Sequence, residues 1–392
     1  MTITRGDHPG GEPTEGTGGP GGHGRRRAAS PAGPTHGNGP ASVRDRGFAA
    51  MLMSGLVALV LGIAVGTLPV PYVVESPGPT FNTLATDGGS PVISVSGHES
   101  FPADGRLDLT TVYVDGGPNG PVSVLGAFSA WLDPNKAVYP EELIYPTEVT
   151  SEESEQESAA AMASSQENAV AAALNELRIP FEQQLQAAGF SDGSPSAGKL
   201  EEDDVFLSIN GKDVTSLPVI QEELAAGAGA EATLVVERDG SPVTVAVTPV
   251  KNDAGNYVLG VLLKYRYTFP VSVTISLERV GGPSAGLMFA LGIVDTITPG
   301  SLTGGKHIAG TGTITPEGKV GSIGGIGQKM IGAKASGATM FLAPAGNCDE
   351  AAGQIPAGLQ VVRVETLKDA RQAVEAAASG TGVENLPSCA SN

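Results

Sequence analysis

The stretch HIAGTGTITPEGKVGSIGGIGQKMIGAKASGA, His307 to Ala338, decides the fold class. It opens as a strand, turns at Thr315-Pro316-Glu317-Gly318, returns as a second strand, and passes through Gly324-Gly325 into a short helix. Downstream, TMFLAPA (339–345) and LQVVRVETL (359–367) read as strands, and KDARQAVEAAASG (368–380) reads as a closing helix. Upstream, FPVSVTISL (269–277) reads as a strand. VGGPSAGLMFA (280–290) then leads from a Gly-Gly-Pro turn into an apolar helix, SAGLMFALGIVDTI. Strands interleaved with helices predict a mixed α/β (α+β) domain.

The whole chain has 392 residues, 40% of them hydrophobic, which is enough for two or three domains. Its formal charge of −19 excludes a nucleic-acid partner, because a phosphate backbone requires a basic face. Residues 1–46 are Gly/Pro-rich and carry Arg5, Arg25, Arg26, Arg27, Arg44 and Arg46; they read as a disordered cytoplasmic tail. Gly47 to Leu68 then runs without a charge, long enough at ~1.5 Å per residue to cross a hydrocarbon core of roughly 30 Å. A single transmembrane helix is expected at 47–68, rather than a buried core helix or a signal peptide, since no A-x-A-type cleavage site follows. The arginines just before it place the N-terminus inside the cell membrane and residues 69–392 outside the cytoplasm.

Both cysteines, Cys348 and Cys389, then lie where disulfides persist, and only one pairing exists. Closing that loop of about 40 residues is worth roughly 4 kcal/mol in the chain-entropy model. With His98 and His307 the only histidines beyond the span, and no Cys/His cluster, neither a metal nor a cofactor is expected.

Residues 91–130 read as strands followed by a short helix. An acidic run over 141–158 leads into an Ala-rich helix ending near Leu177, and its carboxylates complement that helix's dipole. Residues 179–265 look like a separate β-rich module: a strand into an Asn210-Gly211 turn, a helix LPVIQEELAAG closed by glycine, and two strands around Asp239-Gly240. The phrase GSPSAGKLEEDDVFLSINGKDV (193–214) resembles the PDZ domains of bacterial envelope proteases, which implies capture of extended peptides by strand addition. Asp203 stands where that family has a glycine, which leaves the turn geometry open.

Chemistry concentrates at Ser284. GPSAG (282–286) fits a G-x-S-x-G hydrolase elbow, but that reading needs an acid and then a histidine downstream, and only Asp295 and His307 are on offer. GSLTGGKH (300–307) fails the phosphate-loop pattern at its eighth position and sits before a strand rather than a helix. A serine without a usable histidine needs another base, and a lysine disfavoured as an ammonium by burial can serve. Lys306, Lys319, Lys329, Lys334 and Lys368 are candidates, and apolar periodicity does not choose among them. Ser284 as a plain helix N-cap is the structural alternative.

The strings GGPSAG and AGTGTITPEGKVGSIGGIGQKMIGAKASGA resemble the proteolytic domain of Lon proteases. The resemblance implies Ser284 as nucleophile, Lys329 as general base, and Thr311 as the hydroxyl that holds the lysine amine. It also implies backbone N–H groups around Gly282, Pro283 and Ala285 for the oxyanion. Together with the apolar span and the PDZ-like phrase, the chain resembles bacterial membrane-anchored PDZ–Lon-type proteases over roughly residues 47–377. The implied arrangement is a tail (1–46), a span (47–68), a first part of the Lon-type domain (69–178), an inserted PDZ-like domain (179–265), the catalytic part (266–377) and a C-terminal tail (378–392). No ATPase module is recognised, so the implied activity is ATP-independent cleavage of unfolded or membrane-proximal proteins by a serine endopeptidase. A homo-oligomer follows by analogy with Lon rings. The competing reading is a catalytically silent PDZ adaptor on a Lon-like scaffold.

Overall fold

The computed structural model describes residues 2–3, 43–87, 90–145, 150–277 and 280–389. The tail expected to be disordered, 1–46, lies mostly outside these residues, as do 390–392 of the C-terminal tail. The chain divides into two compact units, Ile3–Ser76 with Tyr113–Ser151, and Pro77–Val112 with Glu152–Asn392.

The larger unit is built on a parallel sheet in the order Gln360–Val364, Met340–Pro344, His307–Gly310 and the first half of Arg106–Asp115. All five residues of Met340–Pro344 are buried, as befits a central parallel strand covered on both faces. Helix Gly286–Ile297 buries all but one of its residues, Thr296, in a core with Leu107, Leu109, Ile308, Leu342 and Val374. A helix that is apolar all round has no other stable place. Helix Leu367–Ser379 closes the unit, with a Thr366/Asp369 capping box and Gly380 in the left-handed region at φ 70°.

No strand was expected at 72–82, where Pro77 and Pro79 interrupt the pattern, yet a strand runs Tyr72–Asn82. Its proline-bearing half is accommodated by the neighbouring chain: Thr111 Oγ1 donates to the Pro79 carbonyl at 2.7 Å, and a Cβ at Gly78 would meet the Thr111 backbone at 2.8 Å. Cys348 and Cys389 form a disulfide with Cα atoms 4.7 Å apart, beside Phe341 and Val361.

Within this unit the β-rich module has a core of its own, including Leu185, Phe206, Ile209, Leu224, Leu234 and Val236. Its antiparallel sheet runs Ser241–Val247, Ala232–Arg238, Val205–Ile209, Glu182–Phe190, Val261–Thr268. The edge strand ends at Thr268, past residue 265. Both predicted tight turns are present, with positive φ at Asn210, Gly211, Asp239 and Gly240. Helix Leu217–Gly227 is closed by Ala228 at φ 48°, not by a glycine as expected. Asp203 adopts φ 69°, so the aspartate takes the conformation its missing glycine would have had. Its carboxylate accepts from Gln186 Nε2 and pairs with Lys264 at 3.0 Å.

The smaller unit holds helix Val43–Gly66, a two-residue ladder between Pro69–Val70 and Val122–Ser123, helix Val124–Trp131, and a pairing of Tyr72–Glu75 with Ala137–Pro140. Val74, Val122 and Ala130 form its core. The expected transmembrane helix is not found as such: among the described residues no helix is long and apolar enough to cross a membrane.

Candidate active site

Ser284 sits where a glycine turn runs into helix Gly286–Ile297. Gly282 takes φ 82°, which an L side chain resists, and a Cβ on Gly281 would collide with Ser158. The helix N-cap is Ala285, whose methyl side chain cannot accept a capping hydrogen bond. Hydrogen bonds fix the turn from both sides. Gly282 N–H donates to Ser158 O at 3.0 Å, and Ser165 Oγ donates to Pro283 O at 2.8 Å. The Ser284 carbonyl accepts from Gly312 N–H at 2.8 Å and from Thr311 Oγ1 at 3.0 Å.

Lys329 enters from helix Ile326–Ala335, which starts at Gly325 in the left-handed region, φ 66°. Ile326, Met330 and Ala333 pack inward, and Lys329 goes in with them. Its Nζ donates to Ser284 Oγ at 3.0 Å, with Ser284 only 4% and Lys329 1% exposed. Burial sets Lys329 apart from the other four lysines. Lys306, Lys319 and Lys368 are exposed, and Lys334 spends its amine on the Gly358 carbonyl at 2.9 Å.

The threonine expected to hold the lysine amine, Thr311, is seen donating its proton to the serine's main chain. Of the residues expected around the oxyanion, Gly282 has its N–H committed to Ser158 and Pro283 has none. His307 gives its ring to the buried Asp108 carboxylate at 2.8 Å, a partner Arg106 and Thr80 share. Asp295 is fully buried: Leu302 N–H donates to its Oδ1 at 2.7 Å, and Oδ2 has no hydrogen-bond partner. Burial pushes its carboxyl pKa up, the Leu302 N–H opposes this, and the charge of Asp104 adds to it. Among the described residues no group of three or more His, Cys, Asp or Glu could hold a metal.

Two residues escaped the sequence reading. Ser165 lies in an Ala-rich helix, Ser151–Glu176, where its only signal is a polar side chain at a position that turns out buried. Asn347 clamps the loop before the lysine helix, accepting from Ile323 N–H at 2.9 Å and donating to Ile323 O at 2.8 Å. A buried amine within hydrogen-bond reach of a buried hydroxyl, at the start of a helix, can exchange a proton with it.

Residues 276–377 match the family model described as the Lon protease (S16) C-terminal proteolytic domain. The Lon protease of Campylobacter concisus is 35% identical over 109 residues, covering 26% of this chain and 13% of that protein. The Lon protease of Clostridioides difficile is 37% identical over 75 residues, covering 19% and 9%. The chain therefore spans 13% or less of the length of these relatives. Among solved structures, the PDZ domain of an SdrC-like protein from Listeria monocytogenes shares 15% identity at a TM-score of 0.19, covering 20% of this chain and 85% of that one. The equivalent PDZ domain from Listeria innocua shares 15% identity at 0.20, covering 20% and 92%. Scores this low carry no weight for the module's fold. The matched segment, 276–377, contains both Ser284 and Lys329.

Proposed function

We propose that this chain is a membrane-anchored, ATP-independent serine endopeptidase in which Ser284 and Lys329 form a catalytic dyad. The reading is carried by the 3.0 Å contact between Lys329 Nζ and Ser284 Oγ, inside the matched segment 276–377. An amine shut away from water is disfavoured as an ammonium, so Lys329 starts neutral and can take the hydroxyl proton. Ser284 Oγ attacks the peptide carbonyl, and the developing oxyanion is met by the N–H groups of Ser284 and Ala285 at a helix start. Lys329 then gives the proton to the leaving amine, and the acyl-enzyme is released by water that Lys329 deprotonates in turn.

The anchor is assigned to the uncharged stretch 47–68, most of it helical, with residues 69–392 outside the cytoplasm. The β-rich module takes unfolded or membrane-proximal protein substrates along Val261–Thr268, a strand at the end of its sheet and so open to a further strand. Purified full-length protein should cut an unfolded protein such as casein, and Ser284→Ala and Lys329→Ala should each reduce cleavage to background while remaining folded. A Lys329→Ala protein that cuts at the wild-type rate refutes the dyad. Products that persist in both variants, or none from the wild type on any flexible substrate, favour a silent peptide-binding adaptor.

A further inference from the structure

Helix Val124–Trp131 is built inside out. Its small residues face the core of the smaller unit, Ala130 at 2% exposure with Ala127 beside it on Val74, Val122 and Val138. Its large ones face away: Leu125 is 65% exposed, Phe128 55%, Trp131 72%, and the following Leu132 61%. The segment 122–132 contains no charge, and Ser123 caps the helix, accepting from Gly126 N–H at 3.1 Å. A well-capped short helix that shows water its leucine, phenylalanine and tryptophan lacks a partner.

What that partner is follows from where the helix begins. Val124 N–H donates to Leu68 O at 3.0 Å, and the Pro69–Val70 strand pairs with Val122–Ser123. A Cβ at Gly66 would touch Leu125 at 3.8 Å. The exposed face therefore starts at the end of helix Val43–Gly66, whose own apolar side chains are also bare. Every exposed large hydrophobic side chain among the described residues, Val250 and Leu262 excepted, belongs to this unit. A protein partner would need no such continuity with an apolar helix, whereas a bilayer supplies one apolar phase for both.

We propose that helix Val124–Trp131 is an interfacial membrane element, lying in the headgroup–acyl boundary with Leu125, Phe128, Trp131 and Leu132 immersed about 5–10 Å. Tryptophan and phenylalanine suit that depth, and Phe128 and Trp131 already stand side by side with centroids 6.4 Å apart. The inference rests on the anchoring of 47–68. It adds a second contact, which fixes how the base of the extracytoplasmic part meets the lipid surface.

Trp131 is the single tryptophan of the chain, so its emission reports on this face alone. Full-length protein would be placed in nanodiscs at one copy per disc, and in vesicles for flotation. The expected result is a blue-shifted Trp131 emission, shielded from aqueous iodide and quenched more by lipids brominated near the headgroup than near the bilayer centre. Phe128→Glu, which removes an exposed side chain only, should red-shift the emission and restore iodide quenching while the protein still floats. A chain that floats with Trp131 in water overturns the inference and leaves the anchor standing. A chain that does not float overturns both. Shielding that appears only at two copies per disc overturns it in favour of a second copy of this chain.

Discussion

Removing the Ser165 hydroxyl isolates the contribution of turn geometry to the chemistry. In Ser165→Ala the 2.8 Å bond to Pro283 O is lost inside a site where Ser165 is 4% exposed, and the methyl fills no new space. Pro283 O keeps a second donor, Gly286 N–H at 3.3 Å, so the loss is that of one hydrogen bond, about 0.5–1.5 kcal/mol. For a body of this size that lowers Tm by roughly 2–4 °C per kcal/mol. The kinetic effect is separable, because Pro283 O belongs to the peptide unit that carries the Ser284 nitrogen. A rotation of that plane moves the Ser284 backbone and its oxyanion N–H together, and a displacement of about 1 Å costs on the order of 10²-fold in rate. The expected outcome is kcat down by about ten- to a hundredfold with KM little changed, the pattern of a loss felt in the transition state. Ser158→Ala is the matched control: Ser158 holds the same turn through its carbonyl, which alanine keeps, so its kcat should stay at the wild-type level. Initial rates on a quenched-fluorescent flexible peptide, beside thermal unfolding, provide both readings. A Ser165→Ala protein with lowered Tm and wild-type kcat would show that the bond stabilises the turn without positioning the serine.

Lys329→Met should abolish cleavage without lowering Tm, since a buried amine is exchanged for an apolar chain of similar length; a large loss of Tm would mean that the amine's contacts hold the fold. Cys348→Ser with Cys389→Ser should lower stability by up to roughly 4 kcal/mol, read as a Tm drop that reducing agent reproduces in the wild type, because the bridge closes a 41-residue separation. Asp295 binds its proton more tightly in the folded state, so its contribution to stability declines as pH rises from 3.8, the ordinary carboxyl value, through the raised folded value. Asp295→Asn keeps an acceptor for Leu302 N–H and cannot ionise. Its Tm should exceed that of the wild type at neutral pH and the gain should shrink below pH 3.8, whereas a gain constant with pH would exclude the carboxylate as its source.

Much of the larger unit could be read from the sequence because its strands are central and its turns carry their own chemistry. Met340–Pro344 is apolar throughout and buried throughout, and the Asn-Gly and Asp-Gly pairs turned where such pairs must. Strand Tyr72–Asn82 escaped because its prolines are tolerated only through Thr111 and Gly78, a contact between segments about 30 residues apart. The left-handed cap at Ala228 escaped because that conformation favours glycine, and alanine takes it here with its N–H donated to Ala225 O. At the candidate site, the Lon-like strings pointed to Ser284 and Lys329, whereas apolar periodicity alone did not single out the lysine. Five lysines were equivalent by pattern, and the distinction among them is burial, a property of the assembled fold.

Helix Ser151–Glu176 shows why the supporting residues were the hardest to read. It looked like a solvated, Ala-rich helix with acids at its start, and the first turns are indeed exposed. Yet positions 158, 165, 168 and 175 recur at helical spacing and face one way. Ser158 O takes Gly282 N–H, Ser165 Oγ holds Pro283 O, Asn168 Oδ1 accepts from Tyr267 OH of the β-rich module at 2.9 Å, and Asn175 Nδ2 donates to Pro316 O at 2.8 Å. One helix thus touches the turn that carries Ser284, the β-rich module and the turn of the hairpin Thr313–Gly321 that follows Thr311. Tyr267 stacks between Tyr265 and Phe269, and burial raises the pKa of both tyrosines, Tyr265 to about 12, so the hydroxyls stay protonated donors through the physiological range. Hydrophobic patterning cannot find such a face, because its polar groups are satisfied by partners distant in sequence. An apolar stripe would have announced burial, whereas a polar one reads as solvent until those partners are in place.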